Sequence, residues 1–158
     1  VACSKGDAMN NGVWKYDRQM GQKPYLGFVY IVHDKWAKRY YIGKKSYKVK
    51  RGLKKGEESD WRTYKTSCKE LKDHLAIRPA SEFDFIVLGE CTTLGGLAWA
   101  ETFLQTLSCV PLSNEFYNTR IESITFKVNE EINKVIVKNW NSFWKAIGKH
   151  EHLLIWER

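Results

Sequence analysis

No apolar run in this 158-residue sequence approaches the roughly 20 residues that a membrane-spanning helix needs. Its four cysteines, at positions 3, 68, 91 and 109, form neither a CxxC pair nor a zinc-ligand spacing, so neither a disulfide framework nor a structural zinc organises the chain. These absences lead us to expect a reduced, soluble, intracellular (cytoplasmic) protein with no membrane association. Acid is also short. Eighteen acidic side chains face 26 basic ones, a net charge of +8, which favours a polyanionic partner and says nothing about fold.

Between Lys35 and Lys55 acid is missing altogether, while ten cations occur: Lys35, Lys38, Arg39, Lys44, Lys45, Lys48, Lys50, Arg51, Lys54 and Lys55. Such a run is either a solvated face or a phosphate-binding surface. The interleaved tyrosines favour the second, because closely spaced like charges repel unless a polyanion neutralises them. Lys48, Lys50, Lys54 and Lys55 are candidate nucleic-acid contacts, in a stretch that Gly52 and Gly56 turn into a flexible loop.

At this length, with 43% hydrophobic residues, the chain can bury one full core, so one domain is expected. Residues 1–24 read as an irregular arm pinned by Trp14 and Tyr16, residues 25–121 as the core, and residues 122–158 as a C-terminal helix and tail packed on the same domain. The stretch GFVYIVHDKWAKRYYIGKK organises the rest. Leu26 to His33 and Arg39 to Gly43 are β-branched and aromatic runs joined by the polar residues Asp34 to Lys38, which predicts a β-hairpin.

After the basic loop, Ser67 and Glu70 have the spacing of a capping box before a helix with Cys68, Leu71 and Leu75 on one face. Glu82 to Leu88 reads as a third strand, its apolar end suited to the middle of a sheet. The helix from Leu94 to Ser108 carries an apolar stripe of Leu97, Ala100, Leu104 and Leu107, and Glu101 falls inside it. A carboxylate on a buried face is costly unless a positive group pairs with it, so Glu101 is either a salt-bridge partner of a lysine or a functional group. Asn118 on its own reads as turn chemistry. Ile132, Val135, Ile136, Trp140, Phe143, Trp144 and Ile147 form a helical stripe ended by Gly148, and His152 to Trp156 would add an edge strand or a dimer contact. His150 and His152 lack a third ligand for a metal.

GFVY followed about ten residues later by YIG resembles the paired signature of the GIY-YIG nucleases, with Phe28-Val29 where Gly-Ile would stand. The string Asp60-Trp61-Arg62-Thr63-Tyr64 with Thr66-Ser67 is similar to a block in the phage-encoded, free-standing (Seg-like) branch of that family, where Trp61, Tyr64 and Ser67 would lie beside the active site. The alternative is that Trp61 and Tyr64 anchor a loop on the core. The position of Glu101 and the late segment around Asn118 follow in the family's order.

The resemblance implies an α/β (α+β) fold, with a small, mainly antiparallel three-stranded sheet flanked by helices. It implies hydrolysis of double-stranded DNA with one Mg²⁺ (or Mn²⁺) on Glu101, Tyr30 as the base or its relay, and Tyr41 orienting the water or phosphate. Tyr64 would stand beside them, and Asn118 would support the phosphate or hold its loop. Charge on the phosphoryl group would come from Lys44, Lys45, Arg51 or Arg62, with Trp61 and Arg62 also on the DNA side. The 37 residues after Ile121 leave no room for the DNA-binding array of a homing endonuclease, so specificity is expected from the basic loop, the arm or a homodimer. The rival readings are a non-catalytic nucleic-acid-binding protein using the 35–55 loop and a protein presenting that basic face to an acidic partner. Neither needs a carboxylate on a buried helical stripe.

Overall fold

The computed structural model describes residues 10–121, 134–148 and 151–155. Cys3, Ile132, His150 and Trp156 lie outside them. The chain forms β1 (Gly27–Asp34), β2 (Arg39–Ser46), α1 (Lys69–Ile77), β3 (Phe83–Cys91), α2 (Leu94–Leu107) and α3 (Lys134–Ile147). The three strands make one antiparallel sheet in the order β2-β1-β3.

β1 is buried along almost its whole length because both faces of the sheet are covered. Successive side chains of a strand point to opposite faces, and the core divides accordingly. Val29 and Ile31 meet Ile42, Leu88, Leu97 and Leu104 with Ile136, Trp140 and Trp144 on one face. Phe28, Tyr30 and Val32 meet Trp14, Tyr47, Trp61, Leu71, Phe85 and Val87 on the other. Two-sided burial gives a continuous apolar run rather than an alternating one.

The expectation that the apolar end of β3 marks the middle of the sheet is corrected: β1 is central and β3 lies at an edge. Its apolar character has another cause. The outer edge of β3 is covered by the N-terminal segment, where Lys15 donates its N–H to the Phe85 carbonyl at 2.8 Å and accepts from the Val87 N–H at 3.1 Å. On the same side Trp14 is buried and donates Nε1–H to the Trp61 carbonyl. α3 presses on the sheet at Gly89, where an added Cβ would stand 2.5 Å from Ile136 Cγ1. The opposite edge, on β2, is finished by residues 115–117, which exchange backbone hydrogen bonds with Tyr40. Each edge is thus paired over part of its length, at Phe85 and Val87 on β3 and at Tyr40 on β2, which blunts it as a template for further strands.

Three further expectations change. The capping box does not form: the α1 N-cap is Cys68, without a side-chain cap. Ser67 instead bonds Tyr41, and Glu70 pairs with Arg39. β2 runs three residues past Gly43, to Ser46. Among the described residues of the tail, Glu151–Leu153 form a short 3₁₀ turn in place of an edge strand, held by the Trp140 indole N–H on the Leu153 carbonyl and by Asn141 on Ile155.

Candidate active site

Tyr30 lies opposite Gly43 in the β1–β2 ladder. The absence of a side chain at Gly43 is a steric requirement, since an added Cβ would stand 2.5 Å from the Tyr30 hydroxyl and 2.9 Å from Tyr41 Cε1. On its other side β1 changes register against β3 between Val29 and Tyr30. Bulges of this kind re-aim a side chain and recur beside active sites. The Tyr30 ring sits 6.2 Å from the rings of both Tyr41 and Tyr64. Its hydroxyl is 3.5 Å from that of Tyr64, and Tyr41 shares a 2.7 Å hydrogen bond with Ser67.

Glu101 reaches the same region from the other face. Thr93 caps α2 by accepting from the Gly96 N–H at 2.9 Å, and the buried Gly95, Gly96, Ala98 and Ala100 let the helix lie close to the sheet. Glu101 is buried with them, 4% exposed, and its carboxylate is paired with the Lys44 ammonium. Tyr41 and Gly43 alternate with Lys44 along β2, so the phenols stand on one face and the ion pair on the other, meeting around Gly43.

Asn118 clamps the strand between them. Its side chain accepts from the Ile42 N–H at 2.9 Å and donates to the Ile42 carbonyl at 2.8 Å, supplying the pairing that a further strand would give. Its contacts thus hold the backbone of β2 rather than its own loop. Gln105, one helical turn beyond Glu101, donates to the same carbonyl at 3.3 Å. The sequence reading missed Gln105; its place four residues after Glu101 on a buried face was the available signal.

The expected cations separate. Lys45 pairs with Asp60 and lies 4.0 Å from the Tyr64 ring centroid. Lys44, Lys45, Lys48, Lys50 and Lys54 line one open trough of about 720 Å³. Arg51 and Lys55 stand exposed on the loop at its rim. Arg62 pairs with Glu58 and stacks on Trp61. Trp61, expected on the DNA side, is buried against Tyr47 and Phe28, with Nε1–H on Glu58. Its bulk belongs to the core, the alternative reading of that residue. Lys15 and Arg18, two cations of the N-terminal segment, pair with Asp84 and Asp17.

The electrostatics keep the phenols neutral. Burial, then the Tyr64 and Tyr41 phenols and the Glu101 carboxylate, push Tyr30 well above the usual tyrosine range. Burial pushes Tyr41 up to about 12, with the Ser67 hydrogen bond opposing and Tyr64 and Glu101 adding to the rise. Partial loss of water and the neighbouring Lys44 charge lower the Lys50 ammonium, against the pull of Glu101.

Among the described residues no group of three or more His, Cys, Asp or Glu side chains gathers. A lone carboxylate with hydroxyls nearby suits Mg²⁺, which retains waters and takes one or two carboxylates plus substrate phosphate; it does not suit zinc, which wants several nitrogen or sulfur ligands. Among the described residues no helix is long and apolar enough to cross a membrane.

A family model described as the GIY-YIG domain of putative endonuclease segE matches residues 14–121, from the buried Trp14 past Asn118. No curated protein and no solved structure matched the chain.

Proposed function

The chain belongs to the GIY-YIG nuclease family, in its SegE-like branch, and from that membership we propose that it is a divalent-metal-dependent endonuclease cutting double-stranded DNA. The observation that carries the metal-dependent reading is the buried Glu101 carboxylate, neutralised by Lys44 beside the Tyr30–Gly43–Tyr41 group. A carboxylate that served packing alone would be replaceable by an apolar side chain at no loss. The resemblance to the phage-encoded branch supports a phage origin and action inside the host cell.

In this reading Glu101 would hold Mg²⁺, which when bound supplies positive charge at the phosphate and the leaving 3′ oxygen. Lys44 can exchange its carboxylate partner for a phosphoryl oxygen, so its ammonium neutralises charge that grows as the water attacks. Tyr41, fixed by Ser67, orients the water or the phosphate. Tyr30, kept protonated by its surroundings, would relay rather than store a proton: its hydroxyl would accept from the water as it donates to the Tyr64 hydroxyl 3.5 Å away, and the half-buried Tyr64 would pass its own proton to solvent. Asn118 and Gln105 hold β2, and with it Tyr41, Gly43 and Lys44, in place beside Glu101. The lysines of the trough bind flanking phosphates.

Incubation of the purified chain with supercoiled plasmid tests the proposal. Nicking is expected with Mg²⁺ or Mn²⁺ and none after chelation. Retention of plasmid in a gel shift without nicking under any divalent metal would return the non-catalytic nucleic-acid-binding reading.

A further inference from the structure

Residues 47–59 form a braced finger rather than a slack loop. Lys48 and Glu58 make an antiparallel bridge. Val49 donates to the Glu57 carbonyl and accepts from the Gly56 N–H, both at 2.9 Å, and the Ser59 N–H bonds the Tyr47 carbonyl at 2.8 Å. At the tip, the Lys55 N–H reaches the Gly52 carbonyl and the Glu57 N–H the Lys54 carbonyl. Gly52 and Gly56, with φ of +79° and +91°, supply the left-handed conformations that these tight turns need.

Leu53 stands at the tip, fully exposed, with Arg51, Lys54 and Lys55 around it. One exposed leucine is ordinary on a protein surface; this one is held at the end of a narrow, hydrogen-bonded projection whose neighbours are all cationic or glycine. The trough beside it runs from Lys54 and Lys50 back to Lys44, the partner of Glu101. The acids in its wall are already neutralised, Glu58 by Arg62 and Asp60 by Lys45. DNA phosphates seated in the trough would carry the duplex across the fingertip.

The geometry points to Leu53 as a wedge that enters the DNA minor groove and unstacks one base step, while the flanking cations hold the phosphates on either side. An apolar side chain inserted between base pairs kinks the duplex and is stabilised by the extra backbone contacts that the kink permits. The distortion brings one strand towards Glu101, giving the finger a part in choosing the cut site through the deformability of the sequence. This inference rests on the DNA-nuclease reading above.

Fluorescence of short duplexes carrying 2-aminopurine at successive positions tests it, with the full chain at saturating concentration in EDTA. The wild type is expected to raise the fluorescence several-fold at one step. Leu53→Ala should lose that rise at saturation, and Leu53→Phe should keep it. Because Leu53 touches no core residue, neither substitution should change the circular dichroism. The salt dependence of binding should match the wild type in Leu53→Phe and be shallower in Leu53→Ala, which loses the backbone contacts that the kink permits. Binding without any rise by the wild type, or a wild-type rise from Leu53→Ala, overturns the wedge and leaves the nuclease reading standing. A Leu53-dependent rise in a chain that never nicks plasmid upholds the wedge and removes the nuclease. Absence of duplex binding removes both.

Discussion

The Tyr30 phenol passes so close to Gly43 that a single methyl group on the glycine would stand 2.5 Å from its oxygen and 2.6 Å from Cζ. The glycine of the YIG triplet is therefore there for the tyrosine on the next strand. Gly43→Ala is expected to displace the Tyr30 and Tyr41 rings and cost about 1–3 kcal/mol through overpacking. Cleavage should fall about 10²-fold, the scale expected when a reacting group is misplaced by about 1 Å. Single-turnover cleavage alongside a denaturant melt checks both figures; an unaltered rate would show that the two phenols take no part.

Tyr30 is fully buried, and its surroundings hold its proton. A group whose folded pKa is raised contributes stability that is complete below the unfolded value of about 10 and is lost as pH rises beyond it. No tyrosinate limb is then expected in the pH–rate profile at neutral pH. Tyr30→Phe should slow cleavage by about 10²-fold, at the low end for proton-transfer groups, and leave the shape of the profile unchanged. Tyr41→Phe should do likewise. Loss of a rising limb in Tyr30→Phe alone would make Tyr30 the resident base.

Asn118 replaces a missing strand by satisfying both backbone groups of Ile42. Asn118→Ala would leave those buried groups without it, at about 1–3 kcal/mol each, with Gln105 still covering the carbonyl. Chemical denaturation should show a loss of about 2–4 kcal/mol. Hydrogen exchange should be faster at Ile42 than in the wild type; unchanged protection there would contradict the clamp.

Asp34 ends β1 completely buried, bonded by Arg78, the Ala37 N–H and the Tyr117 hydroxyl. Burial works against its ionisation, but those hydrogen bonds and the Arg78 charge together hold its carboxyl well below the usual range. A depressed pKa contributes stability that is complete above the unfolded value of about 4 and is lost as pH falls. The urea midpoint should therefore drop on acidification, and the drop should be smaller in Asp34→Asn. Equal drops in the two proteins would place the acid sensitivity elsewhere.

The hairpin, the buried position of Glu101 and the aromatic stripe of α3 were legible because each is a local periodicity. What the sequence concealed depends on distant partners. An apolar run looks the same in a central strand and in an edge strand covered by another segment, and only the backbone of Lys15 along its edge distinguishes the two for β3. Ser67 and Glu70 had the spacing of a cap, yet Tyr41 and Arg39 compete for them from another element. Trp61 could have been a stacking platform or a core residue; only the packing of Tyr47 and Phe28 decides it. The basic run spoke of phosphate but not of shape, because the bracing of residues 47–59 comes from backbone hydrogen bonds that composition does not reveal.

The Glu101–Lys44 pair separates a catalytic carboxylate from a structural one most directly. Glu101→Gln keeps the size of the side chain and removes its charge, and Lys44, a quarter exposed, can turn to water. The measurement is Mg²⁺-dependent single-turnover cleavage of a duplex by Glu101→Gln, with circular dichroism and duplex affinity recorded on the same preparation. Wild-type fold, duplex binding no weaker than wild type, and cleavage reduced by about 10²- to 10³-fold are expected, the scale of losing one group that stabilises the transition-state charge. A folded Glu101→Gln protein that cuts DNA at the wild-type rate would contradict the catalytic role.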